Sequence, residues 1–128
     1  MKKLTKAEED IMHIIWEIAP CTVGDIRNYI EEKLGEKKPP HSTISTTVRI
    51  LDEKGFLSHK AYGRTFVYSP QVSKEQYSKQ SVRKLVQDYF GGSMNRLVSF
   101  LVKEEDLNPD ELSELLDRLE EKDEEKKA

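Results

Sequence analysis

The 128-residue sequence predicts a mainly α fold with one small β-hairpin, divided near Pro70 into two parts. Three observations predict it. Apolar residues recur at helical spacing in three successive segments before Gly55. Two short β-like segments come next, separated by a glycine turn and closed by Pro70. After Pro70 the apolar pattern is helical again, in three further segments, with no strand signal.

The first helix is announced by Thr5-Lys6-Ala7-Glu8, a capping box in which Thr and Glu satisfy each other's backbone amides. Ala7, Ile11, Ile14, Ile15 and Ile18 stripe one face behind it, with Trp16 beside them, and Pro20 stops the helix. Trp16 is expected to anchor the core or the second part of the chain rather than touch a ligand. Thr22 opens a second helix striped by Val23, Ile26, Tyr29, Ile30 and Leu34, and Gly35 ends it. Residues 36–40 are a loop, because Pro39 biases Lys38 away from the helical region. Ser42 is the expected cap of a third helix reaching about Lys54, with Gly55 as its stop. Phe56–Ala61 and Arg64–Ser69 then flank Tyr62-Gly63 as a hairpin tip. Helix, helix, helix, hairpin is the order of a winged helix-turn-helix, and it assigns residues 1–70 to one domain.

Within that domain the third helix carries the chemistry. At about 100° per residue, Ile44, Val48 and Leu51 share a buried face and Ser42, Thr46, Arg49 and Glu53 fall opposite, with Thr43 and Ser45 on the flanks. Ser and Thr are mediocre helix formers, so a hydroxyl-rich outer face asks for a reason. Such side chains suit the DNA major groove: hydroxyls bond phosphates or base edges, a Thr methyl touches a thymine methyl, and Arg grips guanine. An ordinary solvated polar face is the alternative. Lys60 and Arg64 bracket the hairpin tip, where cations reach phosphates or the minor groove, although they also suit the protection of an edge strand. Segment 57–69 is thus the expected wing. The net charge of −3 conceals an asymmetry. Residues 1–70 hold 11 Lys/Arg against 10 Asp/Glu, a net of +1, and residues 71–128 hold 10 against 14, a net of −4. Lys37, Lys38, Arg49, Lys54, Lys60 and Arg64 make the local excess.

The second part, residues 71–128, opens on a capping box at Ser73–Gln76. Val82, Leu85, Val86 and Tyr89 stripe its first helix, which Gly91-Gly92 breaks. Leu97 and Leu101 belong to the second stripe, and Leu112, Leu115, Leu116 and Leu119 to the third, after Asn108-Pro109. Three short helices bury little surface alone. Pairing with a second copy meets that need by the commonest symmetry, and makes these ten residues the candidate dimerisation set. Folding back onto the first part is the alternative. Two reading heads related by a two-fold axis would meet an inverted repeat.

The run Ser42-Thr43-Ile44-Ser45-Thr46-Thr47-Val48-Arg49-Ile50-Leu51-Asp52-Glu53-Lys54-Gly55-Phe56-Leu57, together with Gly63-Arg64-Thr65-Phe66-Val67-Tyr68-Ser69-Pro70, resembles the penicillinase-repressor family of BlaI/MecI/CopY-type regulators. Leu4-Thr5, Glu8, Ile11-Met12, Ile15-Trp16 and Thr22-Val23 extend the similarity. The resemblance implies a winged-helix repressor of palindromic operators, a double-stranded DNA partner, a helical homodimerisation domain, and an upstream membrane-bound sensor protease. Family members often have a basic pair where this chain has Arg49-Ile50, so operator preference does not carry over. Relatives are cut near an Asn-Phe pair in the second helix of the C-terminal domain. The matching position is Phe100-Leu101, but Ser99 precedes Phe100, so the proteolytic switch does not transfer cleanly. The cysteine cluster of copper-responsive relatives is absent as well.

Other function classes find little footing. His13, His41 and His59 have no Cys, Asp or Glu at a recognisable metal or triad spacing, and no glycine-rich phosphate loop exists. Neither catalysis nor a metal or other cofactor is expected. Cys21 alone forms no framework and is expected to be a small, buried or half-buried residue. No apolar run reaches the roughly 20 residues of a membrane span, and no signal peptide opens the chain, so a cytoplasmic protein without membrane insertion is expected. The rival from another class is a winged helix that binds only protein, which a salt titration of DNA binding would separate.

Overall fold

The computed structural model describes residues 2–104, 108–111, 113, 114, 117 and 118. α1 (Lys6–Ile18) begins at Thr5, whose hydroxyl accepts from the Glu8 amide while the Glu8 carboxylate accepts from the Thr5 amide. α2 (Val23–Glu32) opens with the same exchange between Thr22 and Asp25. Both boxes satisfy amides that the first turn of a helix leaves orphaned.

α3 (His41–Glu53) departs from expectation at its start. Its cap is Pro40 and no side chain caps it, so Ser42 is the second residue of the helix and not its cap. Pro40 keeps the chain extended up to the first helical residue (φ −59°, ψ 146°), and its carbonyl accepts from the Thr43 and Ile44 amides at 3.2 and 3.5 Å. The other end agrees with the sequence. Gly55 takes φ 85°, Phe56 N–H donates to Leu51 at 2.9 Å and Gly55 N–H to Asp52 at 3.0 Å. That is a Schellman closure, which needs the left-handed glycine.

β1 (Leu57–Tyr62) and β2 (Thr65–Pro70) form an antiparallel ribbon in which Leu57 faces Pro70 and Tyr62 faces Thr65. The tip is therefore Gly63-Arg64, one residue beyond the Tyr62-Gly63 expected. Gly63 takes φ 63° in the first turn position, which a β-branched or bulky residue would resist. Cys21 extends the ribbon by exchanging backbone bonds with Tyr68 at 3.0 and 2.7 Å.

Met12, Ile15, Ile26, Val48, Leu51 and Phe56 fill the centre of the first unit, completely or almost completely removed from water. Cys21 is buried with them, and burial pushes its thiol up to about 11, far from thiolate chemistry. Trp16 anchors the segment after the ribbon. Its indole N–H donates to the Val72 carbonyl at 2.9 Å and its ring lies 5.7 Å from Tyr77. Tyr77 also meets Phe56 and donates its hydroxyl to Glu9 at 2.8 Å. By backbone contacts the chain accordingly divides into units 1–78 and 79–128, so residues 71–78 pack with the first unit.

α4 (Lys74–Phe90) runs on into the second unit. Gly91 and Gly92, at φ 58° and 79°, break it as the sequence suggests, and α5 (Met94–Glu104) comes next. Phe90 and Phe100 pack edge to face at 5.5 Å. No helix among the described residues is long and apolar enough to cross a membrane.

Candidate nucleic-acid interface

The buried side of α3 is Ile44, Val48 and Leu51, at most 3% exposed, as the spacing requires. This orientation turns Ser42, Thr43, Thr46 and Arg49 to solvent and leaves Ser45 half-buried. Thr47 lies between the two sides, and its hydroxyl donates to the Thr43 carbonyl at 3.0 Å, which removes its proton from outside use. One residue of this outer face escaped the reasoning from sequence. Ile50 is 36% exposed beside Arg49, because the turn that buries Leu51 and Val48 carries it outward.

Beyond this apolar packing, two polar side-chain ties among the described residues help fix α3. Lys54, at its C-cap, donates to both oxygens of Glu8 at 2.6 and 2.8 Å and to the Lys3 carbonyl at 3.1 Å. Burial alone would push the Glu8 carboxyl up, but the bonds from Lys54 and Thr5 outweigh it and hold the group below its ordinary value. Lys54 therefore belongs to the framework and leaves the basic patch in which the sequence counts it. The second contact joins wing to helix: His59 Nδ1 meets Asp52 Oδ2, and the His59 ring packs on Phe66 and Tyr68 at 4.9 and 6.0 Å. The separation of seven residues between Asp52 and His59 crosses from helix to strand, so no single-element periodicity could reveal it.

The ribbon's alternation sorts the wing residues. His59, Phe66 and Tyr68 lie on the face that meets α3, whereas Lys60 lies on the other face, opposite Val67. Arg64 sits at the tip, and all three of Arg49, Lys60 and Arg64 are exposed. None of these three forms an ion pair with a described residue, while Lys6 pairs with Asp10 and Arg27 is held by the Pro39 carbonyl at 2.8 Å. Tyr62 and Phe66, 63% and 49% exposed, are further wing residues that the reasoning from charge passed over.

In the second unit, Val82, Leu85 and Tyr89 expose 44%, 43% and 79% of their surface on one side of α4, while Val86 is buried. Leu97 and Leu101 are half-buried on α5, and Phe100 is 47% exposed. Leu112, Leu115, Leu116 and Leu119 lie outside the described residues. Among the described residues, no group of three or more His, Cys, Asp or Glu side chains is arranged to hold a metal ion.

Comparison with known proteins agrees with this architecture. The complex structure of hsRosR-S1 superimposes with a TM-score of 0.50 at 20% identity, covering 80% of this chain and 91% of that one, which is a likeness of fold. The penicillinase repressor of Bacillus licheniformis is 28% identical over 124 residues, 94% of each chain. The methicillin resistance regulatory protein MecI of Staphylococcus aureus (strain N315) is 30% identical over 113 residues, 88% of this chain and 89% of that one. The family model described as penicillinase repressor matches residues 4–121, nearly the whole length, and the chain is a member of the penicillinase repressor family.

Proposed function

We propose that this protein is a sequence-specific, DNA-binding transcriptional repressor that acts in the cytoplasm as a homodimer on an inverted-repeat operator. In this reading α3 enters the major groove, with Ser42, Thr43, Ser45, Thr46 and Arg49 toward the bases and phosphates. The ribbon lies along the backbone with Lys60 and Arg64. The observation that carries the reading is the set of exposed cations at Arg49, Lys60 and Arg64, without acidic partners among the described residues, beside a hydroxyl-rich helix face. Phosphates supply the missing charge, and base edges supply partners for the hydroxyls and the guanidinium. The uncapped start of α3 adds amides at the positive end of a helix dipole, which favour a phosphate. Relatives named for repressing penicillinase and regulating methicillin resistance support the regulatory role.

Dimerisation is assigned to the second unit. Val82, Leu85 and Tyr89 keep apolar surface in water on one helix side, and a second copy would cover it. The test is a selection of bound duplexes from a random library with the full chain, then sedimentation of the complex. An inverted repeat carrying two protomers is expected. Enrichment of a single unrepeated site bound by one protomer would contradict the dimeric reading, and no enrichment would contradict sequence-specific binding.

A further inference from the structure

We infer that Ile50 reads a thymine methyl group in the major groove and is a specificity-determining residue of this chain; the inference rests on the DNA-binding reading above. Ile50 is a large β-branched side chain left 36% exposed on the outer side of α3. Helix stability gives no reason for it, since isoleucine is a poorer helix former than the Lys, Glu or Arg that solvent would favour. Its neighbours supply one. At about 100° per residue, Ile50 lies within roughly 40° of both Thr46 and Thr43 around the axis, and about 100° from Arg49. Both threonines are exposed. The outer face thus has two edges of different chemistry: a polar edge of Ser42 and Arg49, and a methyl-bearing edge of Thr43, Thr46 and Ile50. A groove-facing apolar side chain cannot accept or donate a hydrogen bond, so it cannot read the polar edges of guanine, cytosine or adenine. The one apolar group that the four bases present in the major groove is the thymine 5-methyl. Covering that methyl with Ile50 takes apolar surface of both partners out of water. Arg49 would read a guanine beside it, so the two adjacent residues divide the readout by chemistry.

The experiment uses the duplex selected by the full-length protein and replaces its thymines one at a time with deoxyuridine, which lacks only the 5-methyl. For the unaltered protein, one replacement in a half-site is expected to weaken binding about four- to five-fold, the effect of one buried methyl-sized group. The same replacement is expected to leave Ile50→Ala unaffected, and Ile50→Val to behave like the unaltered protein. Equal melting temperatures for the three proteins would show that the fold is intact, as the exposed position implies. Tight binding with no uracil-sensitive position overturns the inference, as does an equal uracil penalty in Ile50→Ala, and either result leaves the DNA-binding reading standing. Failure to bind any duplex at low salt overturns both.

Discussion

At the scale of single residues, recognition and stability turn on which charged side chains are committed to the framework. Glu8 and Lys54 are so committed, and their pairing has a definite sign with pH. Because the folded Glu8 carboxyl lies below its ordinary value, the pair stabilises fully above that value and is lost as pH falls through the folded one. Lys54→Met removes the partner of a carboxylate that is 5% exposed, and should cost about 3 kcal/mol at neutral pH. It should also flatten the fall of melting temperature on acidification, which a pH series of thermal melts measures. An unchanged acid limb would mean that Glu8 does not need Lys54. Arg49, by contrast, has no acidic partner among the described residues. Arg49→Ala should leave melting unchanged and weaken operator binding by about 10- to 100-fold, a loss of about 1–3 kcal/mol, while relaxing base preference at one position. Titration of the selected duplex and of single-base variants checks both effects. The buried face of α3 was legible because Ile44, Val48 and Leu51 obey one period. The pairing of Lys54 with Glu8 is not legible in the same way, because the two residues lie 46 positions apart, beyond any local pattern.

At the scale of elements, caps and turns decide where things begin. The capping boxes at Thr5 and Thr22 and the glycine stop at Gly55 are local chemistry, so sequence reasoning finds the ends they define. The start of α3 is set instead by Pro40, whose extended backbone and accepting carbonyl replace a side-chain cap, and a search for hydroxyl caps settles on Ser42 too late. The hairpin slips by one residue for a related reason: Gly63 alone tolerates the positive φ of the first turn position, so Tyr62 joins the strand. The slip makes Val67 the cross-strand partner of Lys60 but leaves Lys60 on the same face, because moving a two-residue loop by one residue shifts partners by two. Gly63→Ala would meet no atom within 4 Å, so its penalty is conformational alone. It should destabilise the first unit by about 1 kcal/mol and loosen the wing, read as a lower melting temperature and weaker duplex binding. A melting temperature equal to that of the unaltered protein would contradict the turn geometry. The His59–Asp52 contact, which joins ribbon to helix, lay beyond sequence because it links two elements of different period.

At the scale of the whole molecule, the proposed division of labour is between a reading unit and a pairing unit. By backbone contacts the first unit comprises residues 1–78, and within it Trp16 and Phe56 pack against Tyr77 while Trp16 holds the Val72 carbonyl. A fragment ending at Ser78 should therefore fold and remain monomeric, whereas one ending at Pro70 would lose the cover of Trp16 and melt lower. Sedimentation of the 1–78 fragment as a dimer would move the pairing surface into the reading unit. The central claim is that the exposed face of α3 and the ribbon binds duplex DNA through phosphate and base contacts. Its most direct test is the affinity of the full chain for random-sequence duplex DNA as salt is raised. Measurable binding is predicted at low salt, falling steeply and log-linearly with salt concentration, as counterions released from the phosphates demand. Absence of binding at low salt, or affinity indifferent to salt, would contradict it.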